Sequence, residues 1–286
     1  MNQTCYLCGS VRNEIVFVEN GISIVRCLSC RHAFSTFEQK DHYEGYWDDG
    51  EKSFDLDWWD IAHRNIYTYF IKNFMKPDNG TLMDVGCGLG FFIKMLNQRK
   101  PDWKTMGYEM SEKAVFYAKN QNGLNNIYSG RVEDSGLKPN SIDVITLWDV
   151  IEHIPKPQPL LNYLYTVLKP GGFLFVQTPN FPIQLVKAKL KVRLKGMKEG
   201  IHYLEARDHI NDYSTESLNK LALDCNYELP KYFILPPILS VAGSRNLLGK
   251  LFKISFYFLT KFFWVLSFKK LMLNNTLFSI LKKPIH

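Results

Sequence analysis

The sequence contains no run of about 20 residues that is both apolar and uncharged, the usual requirement for a membrane-spanning helix. Its first residues, MNQTCYLCGS, include no apolar stretch of the kind that directs secretion. The expected location is therefore the cytoplasm, where disulfide bonds are rare. With 18 Gly and 13 Pro among 286 residues, the chain also lacks the composition of collagen-like or disordered proteins.

Acidic residues are missing from the C-terminal part of the chain. The formal net charge is +7, but residues 243–286 hold eight Lys or Arg and no Asp or Glu. The first 242 residues therefore carry 27 basic against 28 acidic side chains. A nearly neutral body argues against a protein that coats nucleic acids, so no nucleic-acid partner is expected.

Four of the six cysteines form two CxxC pairs that are 18 residues apart. Asn20-Gly21 lies between two β-like runs in that interval and predicts a hairpin that brings the pairs together. Four thiolates complete a tetrahedral zinc site, which is structural because no position is left for water. The alternative is a set of unrelated cytosolic thiols, and the nearby His32 is expected at the surface. The candidate zinc ligands are Cys5, Cys8, Cys27 and Cys30.

The order of apolar runs divides the chain into a predicted zinc ribbon over residues 1–35, a linker or lid over 36–57, and an α/β domain over 58–286. In the α/β domain, short apolar strands alternate with helices of about ten residues, which predicts a parallel sheet covered on both faces. The predicted strands are Thr81–Val85, Lys104–Glu109, Asn126–Ser129, Ile142–Trp148 and Gly172–Thr178.

A glycine-rich turn, DVGCGLG, follows the first strand of this domain. Doubly wound folds bind cofactors at this edge of the sheet, where glycines let the backbone approach the ligand. The spacing is GxGxG, and no Lys-Ser/Thr follows as a phosphate loop needs. Asp84 would repel a pyrophosphate but attract an ammonium group. Glu109 ends the second strand, where its carboxylate can accept both hydroxyls of a ribose.

Four ordered blocks, LMDVGCGLG, GYEMS, IDVITLWDVIEHIPKP and LKPGGFLFVQTPN, resemble the class I S-adenosylmethionine-dependent methyltransferases. The branch that includes ubiquinone-type O-methyltransferases and sugar methyltransferases is the most similar, over about residues 60–235. The resemblance implies a Rossmann-like, mostly parallel sheet whose last strand is antiparallel. Thr276–Lys282 resembles that last strand, which makes residues 240–273 a helical, apolar and basic insertion.

The same resemblance implies which residues hold S-adenosylmethionine. The glycines of the turn would line the methionine moiety, Glu109 would hold the ribose, and Met110 would pack on the adenine. Val132 and Glu133 would lie at the polar edge of the adenine, with Trp148 beside the cofactor. With Asp84, the candidate cofactor residues are Asp84, Gly86, Gly88, Gly90, Glu109, Met110, Val132, Glu133 and Trp148.

Three residues carry the candidate chemistry of the acceptor site: Glu152, His153 and His209. The spacing of Asp149, Glu152 and His153 places them on one face of a helical turn, where they can bind a divalent ion or move a proton. The alternative for Glu152 and His153 is a structural role in which they tie the loop to neighbouring backbone. His209 is a candidate general base, and its alternative is a hydrogen bond to backbone at the start of a helix.

Two basic stretches bear on the acceptor. Leu185–Lys195 carries five cations, and such a run usually forms a solvated face. Because related methyltransferases place a substrate lid here, the alternative is a site for a phosphorylated or membrane-surface acceptor. The insertion combines aromatic and aliphatic residues with lysines, the composition of a helix in an anionic membrane interface. Burial against the core or against a dimer partner is the alternative.

The sequence as a whole predicts a methyltransferase acting on a small molecule, a sugar or a lipid-linked glycan intermediate, in the cytoplasm or on the inner face of the membrane. One alternative is a ribosomal-RNA methyltransferase, since one such group resembles this chain in carrying an N-terminal zinc ribbon. A second alternative is a non-catalytic module that binds zinc and membrane. No oligomeric state is predicted.

Overall fold

The described part of the chain forms two β-sheets, and the smaller one includes a two-residue strand from the α/β part of the chain. The structure is a computed structural model, which describes residues 3–38, 57–239 and 247–285. The predicted linker, 36–57, lies almost wholly outside the described residues.

The N-terminal sheet is built on the predicted hairpin. Strand β1 (Asn13–Glu19) pairs antiparallel with β2 (Ile22–Cys27), and β2 pairs with β3 (Ala33–Ser35). Asn20 and Gly21 both have positive φ, 48° and 81°, as a type I′ turn requires. The hairpin predicted from Asn20-Gly21 is therefore confirmed.

The large sheet has seven strands in the order β6-β5-β4-β7-β8-β11-β10. The first five of these are parallel to one another, whereas β11 is antiparallel to β8 and β10 is antiparallel to β11. This is the Rossmann-like sheet with an antiparallel strand that the sequence predicted. The strands after the ribbon are β4 (Gly80–Val85), β5 (Trp103–Glu109), β6 (Ile127–Ser129), β7 (Ile142–Trp148), β8 (Leu168–Pro179), β9 (Asn211–Asp212), β10 (Lys231–Phe233) and β11 (Thr276–Lys282).

Helices alternate with these strands. A π-helical turn, Asp57–Ala62, precedes the first α-helix, and short 3₁₀ turns cover Val132–Asp134 and Ile151–His153. Ser111 caps one helix by accepting the backbone N–H of Ala114. The α-helices are α1 (Arg64–Phe74), α2 (Phe91–Arg99), α3 (Glu112–Asn120), α4 (Pro157–Val167), α5 (Phe181–Lys195), α6 (Thr215–Asp224) and α7 (Leu247–Leu266).

Strands β7 and β8 lie at the centre of the core, where their apolar runs are covered on both faces. Phe70 of α1 packs edge-on against Trp148 and Phe175, with ring centres 5.3 and 4.7 Å apart. Aromatic pairs in this geometry stabilise the fold beyond their buried area. They fix the carboxyl end of β7, where the candidate site begins.

The ribbon is hydrogen-bonded to the α/β domain. β3 pairs antiparallel with β9, with Ala33 opposite Asp212 and Phe34 opposite Asn211. β9 directly follows the loop that carries His209, so the ribbon sheet, β1-β2-β3-β9, includes the chain next to the candidate base.

Helix α7 lies between β10 and β11 in the chain and packs on the core through its polar side. Thr260 is 2% exposed, and Tyr257 and Trp264 contact core residues. One alternative from the sequence is burial of the apolar side against the core. In the structure the opposite side meets the core. Within the described ranges, no helix combines the length and apolar character needed to cross a bilayer.

Candidate active site

A cleft of about 890 Å³ lies at the carboxyl ends of β4, β5 and β7. This volume is within the usual range for sites that bind small molecules or cofactors. The glycine turn after β4, Glu109 at the end of β5 and Trp148 at the end of β7 line one part of it, and the segment around His209 lines another. The cleft therefore joins the predicted cofactor residues to the predicted acceptor residues.

The glycine turn follows β4 in a conformation that side chains disfavour. Gly86 and Gly88 have φ values of 69° and 51°. A Cβ on Gly86 would lie 2.6 Å from Val150 Cγ2, so a larger residue would displace the turn. The backbone of both glycines borders the cleft, which leaves room for a ligand to approach it.

Gly90 has a packing role besides its place in the turn. It has φ 79° at the start of α2, and it is not among the residues that line the cleft. A Cβ there would lie 2.5 Å from Leu124 Cδ1 and 3.2 Å from Ala118 Cβ. The absence of a side chain at Gly90 therefore allows the start of α2 to pack closely on α3.

The Glu109 carboxylate is held in a fixed orientation at the end of β5. Oε2 accepts the backbone N–H of Gly88 and Oε1 accepts that of Ser111, each at 2.9 Å. Burial raises the pKa of Glu109, although these backbone donors act in the opposite direction. Each carboxylate oxygen has a second lone pair, so the group can still accept two hydroxyls of a ribose.

Asp84 is a buried carboxylate next to the glycine turn. It is 1% exposed, and Thr146 Oγ1 donates to its Oδ1 at 2.6 Å. Burial, reinforced by Glu109, raises the pKa of Asp84 to about 8 against the effect of Thr146. A carboxylate that lacks a cationic partner behaves in this way, so the site fits a ligand that brings an ammonium group.

The remaining candidate cofactor residues line the same cleft. Met110 is 42% exposed, as a platform for a flat ligand would be, whereas Val132 is buried. Arg131 forms an ion pair with Glu133 at 2.8 Å. Trp148 is 6% exposed and stacks edge-on with Tyr67, so most of its ring belongs to the aromatic core beneath the cleft.

Glu152, His153 and His209 form one cluster. Each offers a ligand atom within 4.8 Å of those of the other two. Asp149 is not part of this cluster, although the sequence grouped it with Glu152 and His153. It sits at φ 51° in the turn after β7, where it accepts a hydrogen bond from Gln177 Nε2 and lies 3.8 Å from His63 Nε2. Asp149 still lines the same cleft, and His209 is the third member of the cluster.

The hydrogen bonds of the cluster define its protonation. His153 Nδ1 donates to the carbonyl of Asp208 at 2.9 Å, which leaves the lone pair of the ring on Nε2. Glu152 Oε2 accepts from Thr178 Oγ1 at 2.9 Å, while Glu152 Oε1 is buried and has no hydrogen-bond partner among the described residues. A buried acceptor of this kind fits a cation or a donor group of a ligand.

Both histidines of the cluster are neutral at pH 7. Burial and the neighbouring His209 lower the pKa of His153 to about 3. Burial also lowers the pKa of His209, whose Nε2 lies 3.3 Å from Glu205 Oε2. A neutral imidazole can accept a proton, but its strength as a base falls with its pKa, so His209 fits a general base better than His153 does.

Two acidic residues of the cleft, Glu205 and Asp208, had no signal in the sequence. They lie on the loop before β9, and the ribbon holds this loop by hydrogen bonds. Glu19, the last residue of β1, is 1% exposed and accepts backbone N–H groups from Tyr203, Leu204 and Ala206. These hydrogen bonds join residues more than 180 positions apart, so no local pattern in the sequence predicts them.

His32 also links the ribbon to this loop. It is fully buried, so the expectation of a surface residue was wrong. His32 Nε2 donates to Asn211 Oδ1 at 2.7 Å, and Asn211 Nδ2 donates to the carbonyl of Ile154 at 2.5 Å. Burial lowers the pKa of His32 to about 4 despite the bond to Asn211. A neutral His32 thus connects β3 to the segment that follows His153.

The four cysteines of the ribbon fit a zinc ion. Their sulfur atoms all lie within 4.8 Å of one another, with 3.5 Å between Cys5 and Cys30 and 3.6 Å between Cys8 and Cys27. Four thiolates at 2.3 Å from zinc would stand about 3.8 Å apart in a regular tetrahedron. None of the four lines the cleft, which fits a structural role.

Comparison with known proteins identifies the class. A family model described as a methyltransferase domain matches residues 59–231, more than half of the chain. The chain belongs to this family. The solved S-adenosylmethionine-dependent methyltransferase from Archaeoglobus fulgidus has the same fold, with a TM-score of 0.53 at 14% identity, over 82% of this chain and 100% of that one. A chain of the Haloferax volcanii complex between the Trm112 methyltransferase activator and a methyltransferase gives 0.59 at 13% identity, over 86% and 100%.

Curated relatives add a more specific similarity. The ubiquinone biosynthesis O-methyltransferase of Hydrogenovibrio crunogenus is 26% identical over 136 residues, 43% of this chain and 56% of that protein. The protein of the same name from Coxiella burnetii is 30% identical over 136 residues, 43% and 57%. The chain thus spans about half the length of the curated relatives it matches.

Proposed function

We propose that this protein transfers a methyl group from S-adenosylmethionine to a small acceptor bound in the same cleft. One observation carries the proposal above the others. The oriented Glu109 carboxylate, the open glycine turn and the buried Asp84 carboxylate border one cleft at the carboxyl edge of a methyltransferase-type sheet. Each matches one polar part of that cofactor.

Within this proposal each group of residues has a task. Glu109 accepts the ribose hydroxyls, Gly86 and Gly88 allow the methionine moiety to approach the backbone, and Asp84 pairs with its amino group. Met110, Val132 and Glu133 surround the adenine, with Trp148 as the apolar support beneath. The cofactor supplies an activated methyl group, so the protein mainly orients an in-line displacement.

The acceptor's proton goes to the cluster. We assign the general base to His209, which is neutral and borders the cleft, whereas a pKa of about 3 makes His153 a weak base. Glu152, with its unpartnered oxygen, would orient the imidazoles or the acceptor. If a divalent ion binds, Glu152, His153 and His209 are the residues that would hold it, and it would lower the pKa of an acceptor hydroxyl.

We propose a zinc ion in the ribbon as a structural element. Its four ligands would be Cys5, Cys8, Cys27 and Cys30, and the geometry of their sulfur atoms supports this assignment. The ion would hold β1, β2 and β3 together, and through Glu19 and His32 it would support the loop that carries Glu205, Asp208 and His209.

For the acceptor we propose a small molecule, a sugar or a lipid-linked glycan intermediate. The similarity to proteins named ubiquinone biosynthesis O-methyltransferases supports the small-molecule class. The ribosomal-RNA alternative is disfavoured because the first 242 residues are nearly neutral. The non-catalytic alternative is disfavoured because hydrogen bonds from Gly88 and Thr146 hold the carboxyl groups of Glu109 and Asp84 at the cleft.

Transfer of label from methyl-labelled S-adenosylmethionine tests this proposal. The full chain is incubated separately with a total lipid extract, with a nucleotide-sugar pool and with ribosomal RNA. Label in the lipid or sugar fraction is the expected result, and a His209→Gln variant should reduce it while still binding cofactor. Label in RNA alone would establish the first alternative, and the absence of both cofactor binding and transfer would favour the second.

A further inference from the structure

The outward side of α7 is apolar, although it faces solvent. The polar side chain of Lys253 turns inward and donates to the carbonyl of Ile238 at 2.9 Å. Ten large apolar residues of the helix are between 37% and 76% exposed. They are Leu247, Leu248, Leu251, Phe252, Phe258, Leu259, Phe262, Phe263, Val265 and Leu266. Soluble proteins rarely leave so large an apolar area uncovered, which marks it as a surface for binding.

Helix α5 extends this area. Val186, Leu190 and Leu194 repeat every four residues along it and are 65%, 54% and 72% exposed. Lys187 Nζ lies 5.0 Å above the ring centre of Phe256, so α5 and α7 are neighbours. We call the exposed sides of the two helices the α5–α7 surface.

The positive charge of the α5–α7 surface favours an anionic partner. Neither helix contains an acidic residue, whereas α5 alone carries five cations. Lys189, Lys191 and Arg193 are exposed on α5, and Lys250 and Lys261 are exposed on α7. Cations around an apolar area match a layer of anionic headgroups above acyl chains. A second copy of this chain would instead bring like charges together.

From this pattern we propose that the α5–α7 surface docks on an anionic lipid bilayer. The apolar side chains enter the interface while the cations pair with headgroups. Helix α7 packs on the core through its polar side, so its apolar side faces outward. This orientation supports the docking proposal more strongly than the composition of the helix does.

The docked surface adjoins the cleft. Gln184 of α5 and Thr276 of β11 line the cleft, and so does Ile238, which accepts the hydrogen bond from Lys253. An acceptor held in the bilayer would then meet the cleft at the membrane surface. This last step rests on the proposed methyl transfer, whereas the docking itself does not.

Vesicle flotation with the full chain tests the docking. Vesicles of phosphatidylcholine alone are compared with vesicles that also contain phosphatidylglycerol. The unmodified protein should bind the anionic vesicles at least tenfold more tightly at low salt. Replacing three cations, Lys189→Gln, Lys191→Gln and Arg193→Gln, should weaken binding by about fivefold per cation. Replacing Phe258, Phe262 and Leu266 by Ser should reduce it at least tenfold, also at high salt.

Matched variants elsewhere provide the controls. Phe116→Ser removes an aromatic residue that is 67% exposed on α3, and Lys104→Gln with Lys119→Gln removes two exposed cations. These variants should bind vesicles like the unmodified protein, and circular dichroism should be unchanged in all of them. Calorimetry with S-adenosylmethionine in the absence of vesicles separates the two proposals, since the surface variants should bind the cofactor normally.

Three results would overturn the docking proposal. The unmodified protein fails to bind anionic vesicles, or it binds neutral vesicles equally well, or the control variants lose as much binding as the surface variants. A dimer that the Phe258, Phe262 and Leu266 replacements dissociate, with no vesicle binding, would assign the surface to a second copy. Vesicle binding without cofactor binding would contradict only the proposed function.

Discussion

The carboxylate of Glu19, in the ribbon, accepts the backbone N–H of Leu204 at 2.7 Å, and this bond joins strand β1 to the loop beside the cleft. The same carboxylate accepts the N–H of Ala206 at 2.9 Å. Glu205, Asp208 and His209 lie on that loop. The ribbon therefore supports the side of the cleft that carries His209, while the glycine turn and Glu109 line another side. Under the proposed function these are the acceptor side and the cofactor side.

Replacing Glu19 should reduce catalysis and leave cofactor binding nearly unchanged. Glu19→Ala leaves buried donors on the loop without an acceptor, at a cost of about 1–3 kcal/mol each. The expected result is a fall in kcat of at least tenfold with cofactor affinity within threefold of the original. Glu14→Ala on the same strand is the control, because its contact with Arg26 is exposed and long at 3.9 Å. An equal loss of cofactor affinity would show a general loss of structure.

Asp84 should release a proton when the cofactor binds. Its pKa of about 8 means that the carboxyl is mostly protonated at pH 7, whereas a carboxylate paired with an ammonium group has a lowered pKa. Affinity should therefore rise with pH and level off above pH 8. Calorimetry in buffers of different ionisation enthalpy should detect release of about one proton at pH 7. Asp84→Asn should abolish the release; if that variant releases as many protons, another group is responsible.

The rate should decline only at a pH below the ordinary pKa of histidine. His153 and His209 both have lowered pKa values, about 3 for His153, so the neutral base persists as the pH falls below the ordinary histidine value of 6.5. With saturating cofactor, the decline of kcat with falling pH should have its midpoint below 6.5. An acid limb centred at 6.5 or above would contradict the assignment of a buried histidine base.

Zinc removal should act on stability and on the acceptor side. Purified protein should contain about one zinc ion per chain. Cys27→Ser should lower the temperature of unfolding of the ribbon and reduce kcat, while cofactor affinity stays largely intact. Cys225→Ser, at a buried cysteine outside the cluster, is the matched control for loss of a thiol. Protein without zinc that unfolds and turns over like the original would exclude the structural metal.

The sheet was predictable because its signals are local. The run Ile142–Trp148 becomes a strand with the same bounds, and so does Thr276–Lys282, which the resemblance implied. Glu109 lies at the end of a strand, as its place in the sequence predicts. The packing of Gly90 against α3 is less predictable, since its spacing in the turn does not indicate it.

The acceptor side was less predictable because it depends on contacts between distant parts of the chain. Nothing near Glu19 indicates that it accepts bonds from residues 203–206, and His32 looks like a surface residue until β3 pairs with β9. For α7, periodicity defines an apolar and a polar side but cannot tell which one meets the core. Only the packing of Thr260 and Trp264 decides this.

The central claim is that this cleft binds S-adenosylmethionine through Glu109, and calorimetric titration of the cofactor tests it most directly. Glu109→Ala removes a charge-assisted contact of about 1.5–3 kcal/mol, so affinity should fall roughly ten- to hundredfold. Glu112→Ala, an exposed carboxylate three residues further along, should leave affinity unchanged. Binding that weakens by this factor in Glu109→Ala and is unchanged in Glu112→Ala is the predicted result. No binding by the unmodified protein, or equal affinity in both variants, would contradict the account.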